Sequence, residues 1–218
     1  MSGANGPAYT SIVGGGANGC ILHYIENKDM LKNGDLVLID AGCEFEDYAS
    51  DITRTFPVNG KFSDEQAAIY DIVLKALKEA IDVTQAGTPY NKTNETTIRV
   101  ITEGLVELGL LKGDINDLIK AEAHREFYMH GAGHWLGLDV HDVGDYKIDG
   151  EWRIYEPGMV VTIEPGIYIS PKNKKVDTKW RGIGVRIEDD IVITKTGNIN
   201  LTSKVPKERN EIEKMMAK

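Results

Sequence analysis

Only two cysteines, Cys20 and Cys43, occur in the 218 residues. Two cysteines cannot build a disulfide framework, and neither has a ligand-spaced partner. Both read as small buried hydrophobes in a reducing compartment. Long apolar runs are missing as well: nothing approaches the ~20 residues that a membrane span requires. Positive charge is in deficit, with 25 Lys and Arg against 34 Asp and Glu and a formal net charge of −9. Phosphate contacts need clustered basic side chains, so no nucleic-acid partner is expected. The opening MSGANGPAYT carries neither the basic nor the apolar region of a secretory signal. These absences together lead us to expect a cytoplasmic protein with no membrane partner. A hydrophobic fraction of 41% suits a folded chain with a sizeable core.

Residues 1–8 are Gly-rich and read as a flexible lead or expression remnant. Beyond Asn18-Gly19, a strong turn signal, an apolar segment carries His23. LVLIDAG from Leu36 is a short β-rich run bounded by Gly, with Leu36, Leu38 and Asp40 on one face. A second strand over Tyr48 to Val58 carries Asp51, and Cys43 to Asp47 would bend the chain between them, bringing Asp40 beside Asp51. Residues 63–86 read as a helix with a Ser63/Gln66 capping box and a stripe of Ile69, Ile72, Val73, Ala76, Leu77, Ala80 and Ile81, stopped by Gly87. A second helix over about 93–108 puts Ile98, Ile101, Leu105 and Leu108 inward. A third, shorter one is expected over 114–124. Val143 to Tyr155 reads as a polar loop, 157–166 and 184–194 as strands, and the C-terminus as a fraying helix.

Three of the five histidines, His130, His134 and His141, fall within YMHGAGHWLGLDVHD. Imidazole is the commonest metal ligand and the usual acid–base group near neutrality. Small residues at Gly131, Ala132 and Gly133 let the backbone approach a ligand closely. For a single histidine a satisfied core or loop role is the default, but three in so short a stretch point to a site.

The chain also echoes itself. Gly34-DLVLI-Asp40-Ala-Gly42 matches Gly158-MVVTI-Glu164-Pro-Gly166, and each is followed by a strand with a further acid, Asp51 and Glu188. An approximate internal two-fold would aim four carboxylates at one centre. Without cations they would repel and some would protonate; two divalent cations would neutralise them. A carboxylate-rich set with one His suits Mn²⁺, with Zn²⁺, Fe²⁺ or Co²⁺ open. Such paired metals lie roughly 3.5–4 Å apart around an acidified water.

Taken in order, IDAG with Asp40, DITRTFPV with Asp51, HGAGHWLGLDVHD with His134, TIEPGIY with Glu164 and GVRIEDD with Glu188 resemble the pita-bread metallopeptidases. Within that family the set is most similar to the Xaa-Pro aminopeptidases (aminopeptidase P), and HWLGLDVHD and WRGIGVRIEDD resemble the proline-specific branch rather than methionine aminopeptidases. The similarity runs from about Tyr9 to about Glu213. It implies an α+β fold, with a curved antiparallel β-sheet, helices on its outer face and a pseudo-two-fold repeat. It implies two divalent ions, usually manganese, on Asp40, Asp51, His134, Glu164 and Glu188, with Asp51 and Glu188 bridging. Glu164 would shuttle a proton to the leaving proline nitrogen. His23, His130 and His141 match site histidines, His141 the one that contacts the peptide carbonyl, and Arg186 matches an arginine that orders the bridging carboxylates.

The resemblance thus implies hydrolysis of the bond between an N-terminal residue and a penultimate proline. The alternatives are an Xaa-Pro dipeptidase (prolidase) and an inactive truncated domain. Residues 9–218 correspond to the catalytic domain. The family's N-terminal domain and the first helical segment of its catalytic domain are expected to be absent, and the parent protein is expected to be a homo-oligomer.

Overall fold

The computed structural model describes residues 3–217. Its elements run β1 (Gly6–Pro7), β2 (Ile12–Gly15), β3 (Leu36–Asp40), β4 (Cys43–Phe45), β5 (Tyr48–Ala49) and β6 (Thr53–Pro57), then helices α1 (Asp64–Val83), α2 (Asn91–Glu107) and α3 (Ile115–Lys120). The second half has β7 (Lys147–Ile148), β8 (Glu151–Trp152), β9 (Val160–Ile163), β10 (Gly166–Tyr168), β11 (Gly184–Arg186), β12 (Asp189–Thr194), β13 (Gly197–Asn200) and α4 (Arg209–Met216). Every strand pair among the described residues is antiparallel. Helix α1 lies against β9, β10 and β11 and buries Ile69, Tyr70, Val73, Leu77 and Ala80. This is an α+β chain with its helices on the sheets.

Two long hairpins organise the strands. In the first, β3 pairs with β6 and β4 with β5 in one continuous register, Asp40 opposite Thr53 and Glu44 opposite Ala49. Ala41 N–H to Ile52 O at 3.1 Å carries the ladder between them. In the second, β9 pairs with β12 and β10 with β11, Ile163 opposite Asp189 and Gly166 opposite Arg186. Here Ile187 N–H reaches Pro165 O at 3.3 Å; Pro165 has no N–H, so the bond is made from the opposite strand.

Superposing the registers confirms the repeat for the backbone and for Asp40 with Glu164. It corrects the second pair of acids: Asp51 falls on Arg186, and Glu188 falls on Thr53. The acids are two residues apart in register, which keeps them on one strand face.

The halves meet along a seam between residues 51–55 and 186–190. Glu188 N–H donates to Thr53 O at 3.0 Å, and Thr53 Oγ1 donates to Glu188 Oε2 at 2.6 Å. Arg54 pairs with Asp189 at 2.7 Å, both wholly buried.

Several expected boundaries shift for local reasons. The capping box at Ser63 and Gln66 forms, but α1 stops at Val83. Thr84 Oγ1 caps Ala80 O, and Asn198 Nδ2 takes the Ile81 and Thr84 carbonyls, each at 2.7 Å. The inward face of α2 is Thr93, Thr97, Val100, Ile101, Gly104 and Leu105, with Ile98 and Leu108 only partly buried. Its axis is set by Gly104, where an added Cβ would stand 2.6 Å from Ile72. The third helix shortens to α3, followed by a 3₁₀ turn at Ala123–Glu126.

The strand expected over Tyr48 to Val58 divides into β5 and β6, and Asp51 occupies the gap. The bend tightens to Glu46–Asp47, both with positive φ. The polar loop 143–155 contains the hairpin β7–β8, turning at Asp149–Gly150 with φ of 52° and 87°. The lead expected over residues 1–8 is tied down from Asn5: Asn5 N–H and Ala8 N–H bond to Glu44 O and Gly42 O, flanking β1 on β4. Met1 and Ser2 lie outside the described residues. Cys20 is half-buried, and Cys43 is exposed at the start of β4 rather than packed inside.

Candidate active site

Each break in the two hairpins leaves an acid beside a strand end. Asp40 closes β3, Asp51 sits between β5 and β6, Glu164 follows β9, and Glu188 lies between β11 and β12. The His stretch passes in front of them. His134 N–H donates to Thr162 Oγ1, Thr162 N–H to His134 O, and Glu164 N–H to Ala132 O. That pairing needs Gly133, where a Cβ would stand 1.8 Å from Thr162 O. Leu22, His23, Asp40, Asp51, His130, Gly131, Gly133, His134, His141, Glu164, Arg186 and Glu188 thus line one cavity of about 270 Å³. Every site residue expected from the sequence is among them.

His134 Nδ1 lies 2.9 Å from Trp135 O, which can only accept, so Nδ1 carries the proton. Nε2 then points inward, 3.5 Å from Asp51 Oδ2 and 3.6 Å from Glu164 Oε1. Asp51, His134 and Glu188 offer ligand atoms all within 4.8 Å of one another, enough to hold one cation. Asp40 and Glu164 flank them. Asp40 is held by Arg186 Nη2 at 2.6 Å and by the Tyr9 hydroxyl at 2.5 Å, and that hydroxyl also contacts Asp51 Oδ1.

Arg186 joins this network to the histidines. Its Nη1 donates to the Tyr168 hydroxyl at 3.2 Å, and that hydroxyl donates to His130 Nε2 at 2.8 Å. His130 Nδ1 donates to Gly131 O, so both ring nitrogens are engaged in the neutral form. Burial lowers the pKa of His130 to about 4, consistent with that tautomer. His141 stacks edge-on to His134 with ring centroids 4.4 Å apart; burial, then His134, lowers its pKa. His23 stands at the exposed rim.

The acids bear the mark of crowding. Burial raises Glu164 to about 7, opposed by His134 and Arg186 and assisted by Asp51 and Asp40. Burial, then Glu164, Asp51 and Asp40, pushes Glu188 well above the ordinary carboxyl range. Burial opposes a charged His134, yet the Asp51 hydrogen bond and the Glu164 field outweigh it and raise its pKa. One guanidinium cannot balance four carboxylates, so the cluster takes up either protons or cations.

The sequence profile of metallopeptidase family M24 matches residues 1–195. The chain belongs to that family. Family M24 relatives include an Xaa-Pro aminopeptidase of Escherichia coli K12, 58% identical over 98% of this chain and 48% of its own length. An Xaa-Pro aminopeptidase of Haemophilus influenzae is 60% identical over 96% of this chain and 48% of its own. The structure of Pseudomonas aeruginosa aminopeptidase PepP superposes with a TM-score of 0.98 at 62% identity, covering 99% of this chain and 49% of that one. The chain therefore spans about half the length of the relatives it matches. Its fold is the pita-bread fold of these aminopeptidases. Family membership implies a divalent metal, and the hard oxygen donors with one imidazole fit such an ion.

Sequence reasoning overlooked Tyr9 and Tyr168. Tyr168 lies inside the quoted TIEPGIY motif, so its place two residues beyond Gly166 was a signal. Tyr9 stands at the edge of a Gly-rich stretch, with no pattern to mark it.

Proposed function

We propose that this chain carries the catalytic centre of a metal-dependent Xaa-Pro aminopeptidase, releasing the N-terminal residue from peptides whose second residue is proline. The observation that supports this most is the meeting of Asp40, Asp51, His134, Glu164 and Glu188 in one cavity. The names of the relatives point to the same substrate class. Asp40, Asp51, His134, Glu164 and Glu188 would hold two divalent ions, manganese first among the candidates. Bound there, the ions would supply an acidified water and a Lewis acid for the peptide carbonyl.

The remaining roles fall to the protein. Glu164, whose Oε1 stands 3.6 Å from His134 Nε2, accepts the proton of the attacking water and passes it to the proline nitrogen. His141, kept neutral, donates to the carbonyl oxygen as charge develops there. His130 and His23 flank the peptide. Arg186 holds Asp40 at 2.6 Å and so keeps the acids in place. Proline lacks an N–H and has a fixed φ, so a shaped cavity can select it.

Turnover of an Xaa-Pro-Xaa tripeptide after manganese loading tests this reading, with the Xaa-Pro dipeptide run alongside. Cleavage of the tripeptide before proline is the expected result. Cleavage of the dipeptide alone would overturn the aminopeptidase assignment.

A further inference from the structure

Asp190 is 2% exposed and lies outside the cavity, yet its carboxylate touches the backbone of a residue inside it. Its Oδ2 accepts the Asp51 N–H at 3.1 Å. The hairpin does not use that N–H, because the neighbouring ladder bonds run from Ala41 to Ile52 and from Ser50 to Cys43. Asp51 N–H therefore faces the seam. Asp190 stands two residues beyond Glu188, so both side chains leave the same strand face.

The opposite end of the seam carries the same clasp. There the Thr55 hydroxyl accepts Arg186 N–H at 3.2 Å and donates to Arg186 O at 2.9 Å. The hairpin register equates Asp51 with Arg186 and Thr55 with Asp190. In each half, then, a side chain grips the backbone amide of a cavity residue belonging to the other half. The carboxylate of Asp190 reaches one bond further than a hydroxyl. Keeping it buried is costly, and its Oδ1 finds no hydrogen-bond partner among the described residues. A threonine or an apolar residue would be cheaper if reach were not required.

We infer that Asp190 is a positioning residue for Asp51, fixing where that carboxylate stands relative to His134 and Glu188. This rests on the metal-centre reading above. One strand would then deliver one acid, Glu188, and set the place of a second, Asp51.

Two variants and two readouts test it. Asp190→Ala removes the acceptor, whereas Asp190→Asn keeps an oxygen for the same N–H. In metal-free protein the Asp51 amide should exchange with solvent at least tenfold faster in Asp190→Ala than in wild type, and at the wild-type rate in Asp190→Asn. In calorimetric titrations with manganese, Asp190→Ala should bind roughly 10–100-fold more weakly, and Asp190→Asn within about threefold of wild type. If Asp190→Ala does not fold, Asp190→Asn decides: near-wild-type manganese binding supports the inference, and tenfold loss in a folded Asn variant overturns it. Equal affinity in wild type and Asp190→Ala overturns it while leaving the metal centre standing. Wild-type protein that takes up no manganese overturns both, and the exchange data then report on the clasp alone.

Discussion

Arg54 and Asp189 meet at 2.7 Å on the seam, each at the place on its own hairpin that the other holds on the opposite one. Arg54 also donates to the Thr53, Glu188, Pro206 and Val205 carbonyls, and Asp189 is further held by Lys207, Asn200 and Thr202. The pair therefore ties both hairpins to the C-terminal segment. Arg54→Ala leaves a buried carboxylate with one fewer counter-charge and several carbonyls bare. Urea unfolding should show a loss of about 3–5 kcal/mol. A loss under about 1 kcal/mol would mean that the seam is not held here.

Gly133 and Gly131 make a contrasting pair on the His stretch. A methyl at Gly133 would stand 1.8 Å from the Thr162 carbonyl, whereas one at Gly131 meets nothing among the described residues nearer than 4.0 Å. Gly133→Ala should cost about 1–3 kcal/mol by overpacking, and it should also weaken manganese binding, because His134 is the next residue. Gly131→Ala should stay within about 0.5 kcal/mol of wild type. Equal stability of the two variants in thermal melts would contradict the close approach.

The metal-free chain should lose stability as pH rises. Glu164, raised to about 7, and Glu188, pushed well above the ordinary carboxyl range, keep protons in the folded state that the unfolded chain has already released. By linkage, stability falls with pH from the ordinary carboxyl pKa of ~4.3 up through the folded values. His134, raised, acts in the same direction. His130, lowered to about 4, acts the other way, its contribution being lost as pH falls from ~6.5 towards 4. The acids outweigh it. The melting temperature without metal should be lower at pH 8 than at pH 5.5, by roughly 5 °C, and saturating manganese should close that gap, since cations replace protons. A metal-free chain that is more stable at pH 8 would contradict the crowded-acid account.

Helix α1 offers a simpler check. Ser63 Oγ accepts Gln66 N–H at 3.2 Å, and Gln66 Oε1 accepts Ser63 N–H at 2.9 Å. Ser63→Ala should cost about 1 kcal/mol in denaturant unfolding. No loss would show that the cap is redundant.

Where local chemistry decides structure, the sequence was legible. Ser63 and Gln66 marked a helix start that packing did not alter. Asp40 could be placed at a strand end because a carboxylate closing an apolar run has few other places to go, whereas Glu164, read inside a strand over 157–166, falls in the break between β9 and β10. The Gly-rich spacing around His134 pointed to a close approach, and Thr162 is what it approaches. What stayed hidden depends on partners distant in sequence. The α1 terminus is set by Asn198, the α2 face by Ile72 against Gly104, and Asp51, in the gap between β5 and β6, meets Asp190 across the seam. The β7–β8 hairpin was announced by Asp149-Gly150, a strong turn pair, but its strands are too short to show periodicity. Tyr9 had no such signal.

Asp40, Asp51, Glu164, Glu188 and His134 converge in one cavity, and bound cations would offset the repulsion among so many carboxylates. Equilibrium dialysis of manganese against the chain and against Asp51→Asn tests that role of cations most directly. We expect about two ions per wild-type chain and a clear deficit in the variant, with both proteins folded. Uptake of no manganese by the wild type, or the same uptake by Asp51→Asn, would contradict the account.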